Sequence, residues 1–284
     1  MSLPLEFYGQ AIESNQNWPA IIGDHHCPYL NGHCKKLSTN SNKTTGNCVV
    51  ESSKTPIITC PHRFLQDEII FHNAAALLAS GEAIRITQEF KLPTGNVDFV
   101  LWATTLGQPV DLLGLEIQAV DTTNSGGISA CRKDLLNGVL QPSYNIGIDW
   151  KNAAKKSLIQ LLHKVPQFEE IGKHLVFVIQ TEFYDYISKE FTTGHLTDDS
   201  SLTLQFQIYD CVEMMGGGYK MELSKTVGTN SEGVVELLKF GGASPLELHN
   251  IHEKLNKKDS RLLSGYAPKS TPRKPTASLS QVFD

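Results

Sequence analysis

The chain has 284 residues, of which 40% are hydrophobic and 19% are charged, and its formal net charge at pH 7 is -5. These values are ordinary for a globular protein with one large domain or a domain with an appendage, and the net charge neither indicates nor excludes binding to nucleic acid. No apolar run is long enough to span a bilayer and the N-terminus lacks the features of a secretory signal, so we expect a cytoplasmic protein without a membrane partner.

The segment 25–64 is loop-rich and contains four of the six cysteines. These are Cys27, Cys34, Cys48 and Cys60. In a reducing compartment, clustered cysteines more often bind metal than form disulfides, and four thiolates favour Zn or Fe in a closed structural site. The sequence therefore predicts a small N-terminal metal module that binds Fe or Zn. Two alternatives stay open: four unrelated buried thiols, or a histidine (His25, His26 or His33) in place of one cysteine.

Helices and strands are predicted after this segment. The pattern predicts a helix over residues 66–80 and then three strands over residues 83–91, 97–103 and 112–120. Leucines at helical spacing predict a helix over residues 150–171, and the apolar run HLVFVIQTEF predicts a buried strand after it. Two further strands, SLTLQFQIY and YKMELSKTV, follow. This order predicts an α/β (α+β) fold with a mixed central sheet flanked by helices.

Two of the predicted strands carry an acidic pattern. Asp98 falls in the second strand, and Glu116 and Gln118 fall in the third, where residues two apart share a face. Two carboxylates on adjacent strands suit Mg²⁺, and a bound Mg²⁺ can activate a water for phosphodiester hydrolysis. Acidic residues at strand ends are common, but the apolar neighbours of Glu116 predict a carboxylate that needs a partner or a metal. Glu68 and Glu89 stay open as further ligands.

These segments together resemble the NotI family of type II restriction endonucleases. The resemblance covers roughly residues 25–125 and is carried by CPYLNGHC with the following Lys35-Lys36, GNCVV, IITCPHRF and the Asp98, Glu116, Gln118 triplet. It implies a PD-(D/E)XK nuclease core, a homodimer, and Mg²⁺-dependent cleavage of a GC-rich palindrome in double-stranded DNA. It also implies iron in the four-cysteine site and a DNA methyltransferase as genetic partner. Asp98 and Glu116 would bind Mg²⁺, and Gln118 would take the position where lysine is usual.

We therefore predict three parts in the chain and one function. The parts are an N-terminal segment with the cysteine module (residues 1–65), an endonuclease core (66–256) and a flexible basic tail (257–284). The predicted function is that of a type II restriction endonuclease with Asp98, Glu116 and Gln118 as catalytic residues. One alternative is a non-catalytic DNA-binding protein that uses the metal module, and another is a structure-specific or repair nuclease with the same core.

Overall fold

The computed structural model describes residues 2–14, 16–37, 44–79, 81–124, 126–215, 217–239 and 253. One compact unit comprises Met1–Gly242, and the second, Ala243–Asp284, lies outside the described residues except for Glu253. The predicted tail, 257–284, falls entirely in the second unit. The predicted division of the chain at residues 65 and 256 stays a prediction.

The N-terminal part of the chain forms a small antiparallel sheet. Its elements are β1 (Leu3–Phe7), β2 (Gln10–Ala11), α1 (Trp18–Asp24), β3 (His26–Cys27), β4 (Gly32–His33), β5 (Asn47–Ser52), β6 (Thr55–Ile58), a 3-10 helix (Pro61–Glu68) and α2 (Ile69–Ala75). The strand order is β2-β1-β5-β6, and β3 pairs separately with β4. An apolar cluster joins Val49 and Phe64 of this part to Leu101 and Val176 further along the chain. The small sheet is therefore packed against the rest of the described chain.

A mixed six-stranded sheet forms the centre of the fold. The remaining elements are β7 (Ala83–Leu92), β8 (Gly95–Thr105), β9 (Gln108–Ile117), β10 (Thr122–Thr123), α3 (Gly126–Asn137), β11 (Gly147–Ile148), α4 (Trp150–Glu170), β12 (His174–Gln180), α5 (Thr181–Glu190), β13 (Leu204–Glu213), β14 (Tyr219–Thr229) and α6 (Ser231–Leu237). The order is β14-β13-β12-β9-β8-β7, and only the pairs β9–β12 and β12–β13 are parallel. This architecture confirms the predicted mixed sheet with helices.

Three predicted elements are wrong in extent, and one of them is the strand predicted over residues 112–120, which extends as β9 from Gln108 to Ile117. The helix predicted over residues 66–80 is interrupted, because Asp67 and Glu68 adopt left-handed conformations with φ of 52° and 55° that end the 3-10 helix before α2 begins. The run HLVFVIQTEF is a strand only as far as Gln180, and α5 begins at Thr181. The Gln180 side chain bonds the backbone of β6, accepting from the Ile58 N–H at 2.8 Å, and so anchors the end of the strand.

Helix α4 has the predicted position and packs against one face of the sheet. Its N-cap is Asp149, whose carboxylate accepts a hydrogen bond from the Asn152 N–H. Leu158, Leu161 and Phe168 lie in the buried stripe of α4 and belong to the same apolar cluster as buried residues of β12 and β13. The same cluster includes Val97 of β8, the residue that precedes Asp98. In the part of the chain that the structure describes, no helix is long and apolar enough to cross a membrane.

Candidate functional site

The hairpin of β8 and β9 brings two carboxylates together. Asp98 lies in β8 and Glu116 in β9, and the register pairs Phe99 with Leu115. Asp98 and Glu116 therefore occupy the next facing positions on the two strands. Asp98 accepts a hydrogen bond on Oδ2 from the Ile117 N–H at 2.8 Å. Glu116 is 4% exposed, so its carboxylate lies in the interior rather than at a solvated edge.

Burial and mutual repulsion disfavour the charged forms of both carboxyls. The pKa of Glu116 is raised to about 7: burial is the largest cause, the negative charge of Asp98 adds to it, and Lys164 opposes both. Burial also raises the pKa of Asp98, while the Ile117 N–H and Lys164 lower it. Two like charges that share a desolvated site need positive charge nearby in order to ionise together. The pair is therefore suited to binding a cation.

Lys164 of α4 is the site residue that the sequence analysis did not find. Its Nζ donates to Glu116 Oε1 at 2.5 Å, and the two side chains are only 5% and 6% exposed. A signal for it was present in the sequence, since Lys164 follows Leu161 by three residues and precedes Phe168 by four. A lysine in the apolar stripe of a helix indicates a buried partner for its charge.

Gln118 does not lie in β9, because the strand ends at Ile117. The backbone N–H of Gln118 donates to the Val178 carbonyl at 3.0 Å, and its side-chain amide donates to the carbonyl of Ala119. The prediction that Gln118 lies in the same strand as Glu116 is therefore wrong. Its part in the chemistry stays a prediction.

Glu68 and Glu89, which the sequence left open as further metal ligands, lie in different parts of the fold. Glu89 of β7 lies opposite Asp98, since Gln88 pairs with Phe99, and its charge contributes to the raised pKa of Asp98. The Glu89 side chain is exposed. Glu68 ends the 3-10 helix and instead lines a cleft with Glu6 of β1. Of the two, only Glu89 interacts with the carboxylate pair.

The residues of this site fit Mg²⁺. Asp98 and Glu116 offer hard oxygen ligands, and the burial of both carboxyls favours a cation beside them. Within the described ranges, no group of three or more His, Cys, Asp or Glu side chains is arranged to hold a metal ion. A two-carboxylate site agrees with the preference of Mg²⁺, which keeps several waters and takes further oxygens from a phosphate substrate. Asp98 and Glu116 are therefore the residues that would hold the ion.

The four N-terminal cysteines lie on two neighbouring hairpins. Cys27 lies in β3 and Cys34 directly follows β4, while Cys48 lies in β5 and Cys60 directly precedes the 3-10 helix. All four are buried and none forms a disulfide. Burial raises the pKa of the Cys48 thiol, and Cys60 and Cys27 add to this effect. Burial likewise raises the pKa of the Cys60 thiol. Cys34 and Cys27 raise this pKa further, and the positive charge of Lys36 lowers it. The four sulfurs thus interact electrostatically, although as placed they do not form a closed ligand group.

His25, one of the proposed replacements for a cysteine ligand, is engaged in another contact. Its Nδ1 lies 2.7 Å from Thr44 Oγ1 and 3.1 Å from the Tyr8 hydroxyl. The other two cysteines of the chain, Cys131 and Cys211, are buried in separate apolar clusters, as expected for core residues.

Comparison with known proteins gives one family. The model of the family described as Restriction endonuclease NotI matches residues 21–220, which is more than half of the chain. A comparison with curated proteins gives no match. The matched range contains the four clustered cysteines, the two carboxylates of β8 and β9, and Lys164.

Proposed function

This chain belongs to the NotI restriction endonuclease family and is a site-specific deoxyribonuclease, and on that premise we propose that it cuts double-stranded DNA in a Mg²⁺-dependent reaction at Asp98 and Glu116. The observation that carries the proposal is the pair of carboxylates on the adjacent strands β8 and β9, of which Glu116 is buried and Asp98 half-buried. Their raised pKa values support a bound cation in addition to Lys164, because a cation offsets the repulsion between two carboxylates that burial desolvates.

The chemistry is hydrolysis of one phosphodiester bond per strand. When bound, Mg²⁺ polarises the scissile phosphate and lowers the pKa of the attacking water. Asp98 and Glu116 hold the charge that binds the ion, and the Ile117 N–H fixes the orientation of the Asp98 carboxylate. The water oxygen forms a new bond to phosphorus, the bond from phosphorus to the leaving sugar oxygen breaks, and that oxygen ends with a proton. Gln118 is neutral, so it can orient groups by hydrogen bonding but supplies no charge.

The proposal includes a homodimer and a palindromic GC-rich site. Both are what the resemblance to the family implies, and a two-fold dimer would present two identical active sites to the two strands of a palindrome. A restriction enzyme must also be accompanied by protection of the host DNA, so we include a DNA methyltransferase as genetic partner. In this scheme each protomer cuts one strand.

The test is incubation of the purified protein with unmethylated, GC-rich plasmid and phage DNA, with Mg²⁺ or with EDTA. We expect discrete fragments with Mg²⁺ and intact DNA with EDTA, because the carboxylates alone cannot activate the water. End sequencing of the fragments gives the recognition site, and direct conversion of supercoiled to linear plasmid indicates paired cutting by a dimer.

Other outcomes point to the alternatives. Intact DNA that still shifts on a gel contradicts the catalytic proposal and favours a DNA-binding protein. Cleavage of branched or damaged DNA in preference to intact duplex favours a repair nuclease. Fragments that form equally well in EDTA contradict the metal dependence.

We also propose that Cys27, Cys34, Cys48 and Cys60 bind one structural Fe or Zn ion. Support comes from their burial, their free thiols and their electrostatic interactions across two neighbouring hairpins. Thiolates bind these metals well, and metal binding would release the protons of the thiols that become ligands.

Elemental analysis of the purified chain tests this site. We expect about one Fe or Zn per chain, with visible absorption if the ion is iron, because iron–thiolate centres are coloured and zinc centres are not. Cys48→Ser is expected to lose the metal, since Cys48 is buried and interacts with both Cys60 and Cys27. Cys131→Ser is the matched control and should retain it, because Cys131 is an equally buried thiol in α3, outside this group. Metal-free wild-type protein, or full metal content in Cys48→Ser, would contradict the proposal.

A further inference from the structure

We propose that Lys164 of α4 is a positioning residue that supplies the positive charge of this active site in place of Gln118, which is neutral. The inference rests on the proposed function of Asp98 and Glu116. Its direct observation is the ion pair between Lys164 Nζ and Glu116 Oε1, at 2.5 Å between two side chains that are 5% and 6% exposed.

The place of Lys164 in the helix favours a functional role over a structural one. It lies in the buried stripe of α4, beside Leu161 and Phe168, where an apolar side chain would pack without desolvating a charge. Buried ion pairs are weak contributors to stability, and apolar replacements of similar volume are often tolerated or stabilising. A lysine at this position is therefore better explained by its effect on the Glu116 carboxylate than by a contribution to the stability of the fold.

The charge balance of the site depends on this lysine. Asp98 and Glu116 with Mg²⁺ and a neutral Gln118 carry no net charge, so they offer no net attraction to the anionic phosphate. Adding Lys164 leaves one positive charge, which matches the single negative charge of the scissile phosphodiester. An ammonium has three N–H donors. One is used on Glu116 and fixes its carboxylate, and the others remain for a phosphate oxygen or a water.

The experiment compares Lys164→Gln, Lys164→Arg and wild type in single-turnover cleavage of the same plasmid substrate. Gln keeps a hydrogen-bond donor near Glu116 but removes the charge, so we expect the cleavage rate to fall about a hundredfold. Arg keeps the charge and should retain at least about a tenth of the wild-type rate. Lys189→Gln is the matched control, because Lys189 is an exposed helical lysine of α5, and it should cut at the wild-type rate.

Titration of the DNA-free proteins with Mn²⁺ by calorimetry separates positioning from mere structure. Removing a positive charge beside two carboxylates strengthens their attraction for a cation, so Lys164→Gln is expected to bind the metal as tightly as wild type or more tightly. A structural role predicts weaker metal binding together with slower cleavage, because the site itself would be distorted.

Each outcome decides for or against the proposal. A loss of less than about tenfold in folded Lys164→Gln overturns it, as does weakened Mn²⁺ binding in that variant. If Lys164→Gln does not fold, Lys164→Arg decides alone: cleavage below about a tenth of the wild-type rate overturns the proposal. If neither variant folds, Lys164 is a stability residue and the proposal is wrong. Asp98→Asn, run alongside, tests the proposed function separately: if it cuts like wild type, the metal site itself is misplaced.

Discussion

Replacing Asp98 with asparagine is expected to lower the rate constant of DNA cleavage about a thousandfold, which corresponds to a loss of about 4 kcal/mol of transition-state stabilisation. Asparagine has nearly the same shape and can still accept the hydrogen bond from the Ile117 N–H through its amide oxygen. The local fold of β8 and β9 should therefore survive while the charge that binds the metal is lost. The measurement is single-turnover cleavage, with the melting temperature recorded for each variant.

Glu116→Gln should lower the rate constant of DNA cleavage by the same factor, since the two carboxylates bind one ion. Asp111→Asn is the matched control, because Asp111 also lies in β9 but pairs with Lys173 instead. Its cleavage rate should remain that of wild type. DNA binding by Asp98→Asn without divalent metal should be equal or tighter, because a negative charge near the phosphates is removed. Equal cleavage by the Asp98 and Asp111 variants would contradict the assignment of the site.

The sequence was sufficient to predict that Asp98 and Glu116 lie on two adjacent strands. The segments around Asp98 and Glu116 contain turn residues between runs of apolar residues, and such local patterns predict adjacent antiparallel strands. The apolar neighbours of Glu116 also predicted its burial, which the structure confirms at 4% exposure. Both predictions depend on residues close together in the chain, where periodicity is a direct physical signal.

Two features of the site could not be predicted from such local patterns. Lys164 is 48 residues from Glu116 in sequence, and their ion pair exists only because α4 crosses the sheet face above β9. Sequence periodicity assigned α4 correctly but does not specify which strand the helix covers. Gln118 was misplaced because strand periodicity assumes that the strand continues, whereas β9 ends at Ile117. The end of a strand depends on tertiary contacts that the local pattern does not specify.

The largest expected effect on stability comes from Arg63, whose side chain is fully buried at the junction of the N-terminal sheet and the central sheet. Its Nε donates to Glu6 Oε2 at 2.8 Å, and its terminal nitrogens donate to Gln66 Oε1 at 2.6 Å and to the Tyr219 carbonyl at 2.5 Å. The guanidinium also lies 4.9 Å from the centre of the Tyr29 ring. One side chain thus connects β1, the 3-10 helix and β14.

Arg63→Met is expected to lower the free energy of unfolding by about 3–5 kcal/mol, because it leaves the buried Glu6 carboxylate without its cation. The measurement is chemical denaturation of wild type and variant at several pH values. Burial already raises the pKa of Glu6 above its usual 4.5, and Arg63 opposes this effect. Without Arg63 the folded-state pKa rises further, so the folded variant is stabilised by protonation at low pH and loses that stability as the pH increases.

The destabilisation by Arg63→Met should consequently be larger at pH 8 than at pH 5. Glu6→Gln combined with Arg63→Met removes both charges of the pair, so the double variant should recover part of the lost stability and lose most of the pH dependence. A loss in Arg63→Met that is the same at both pH values would mean that the packing of the Arg63 side chain, rather than its charge, holds the two sheets together.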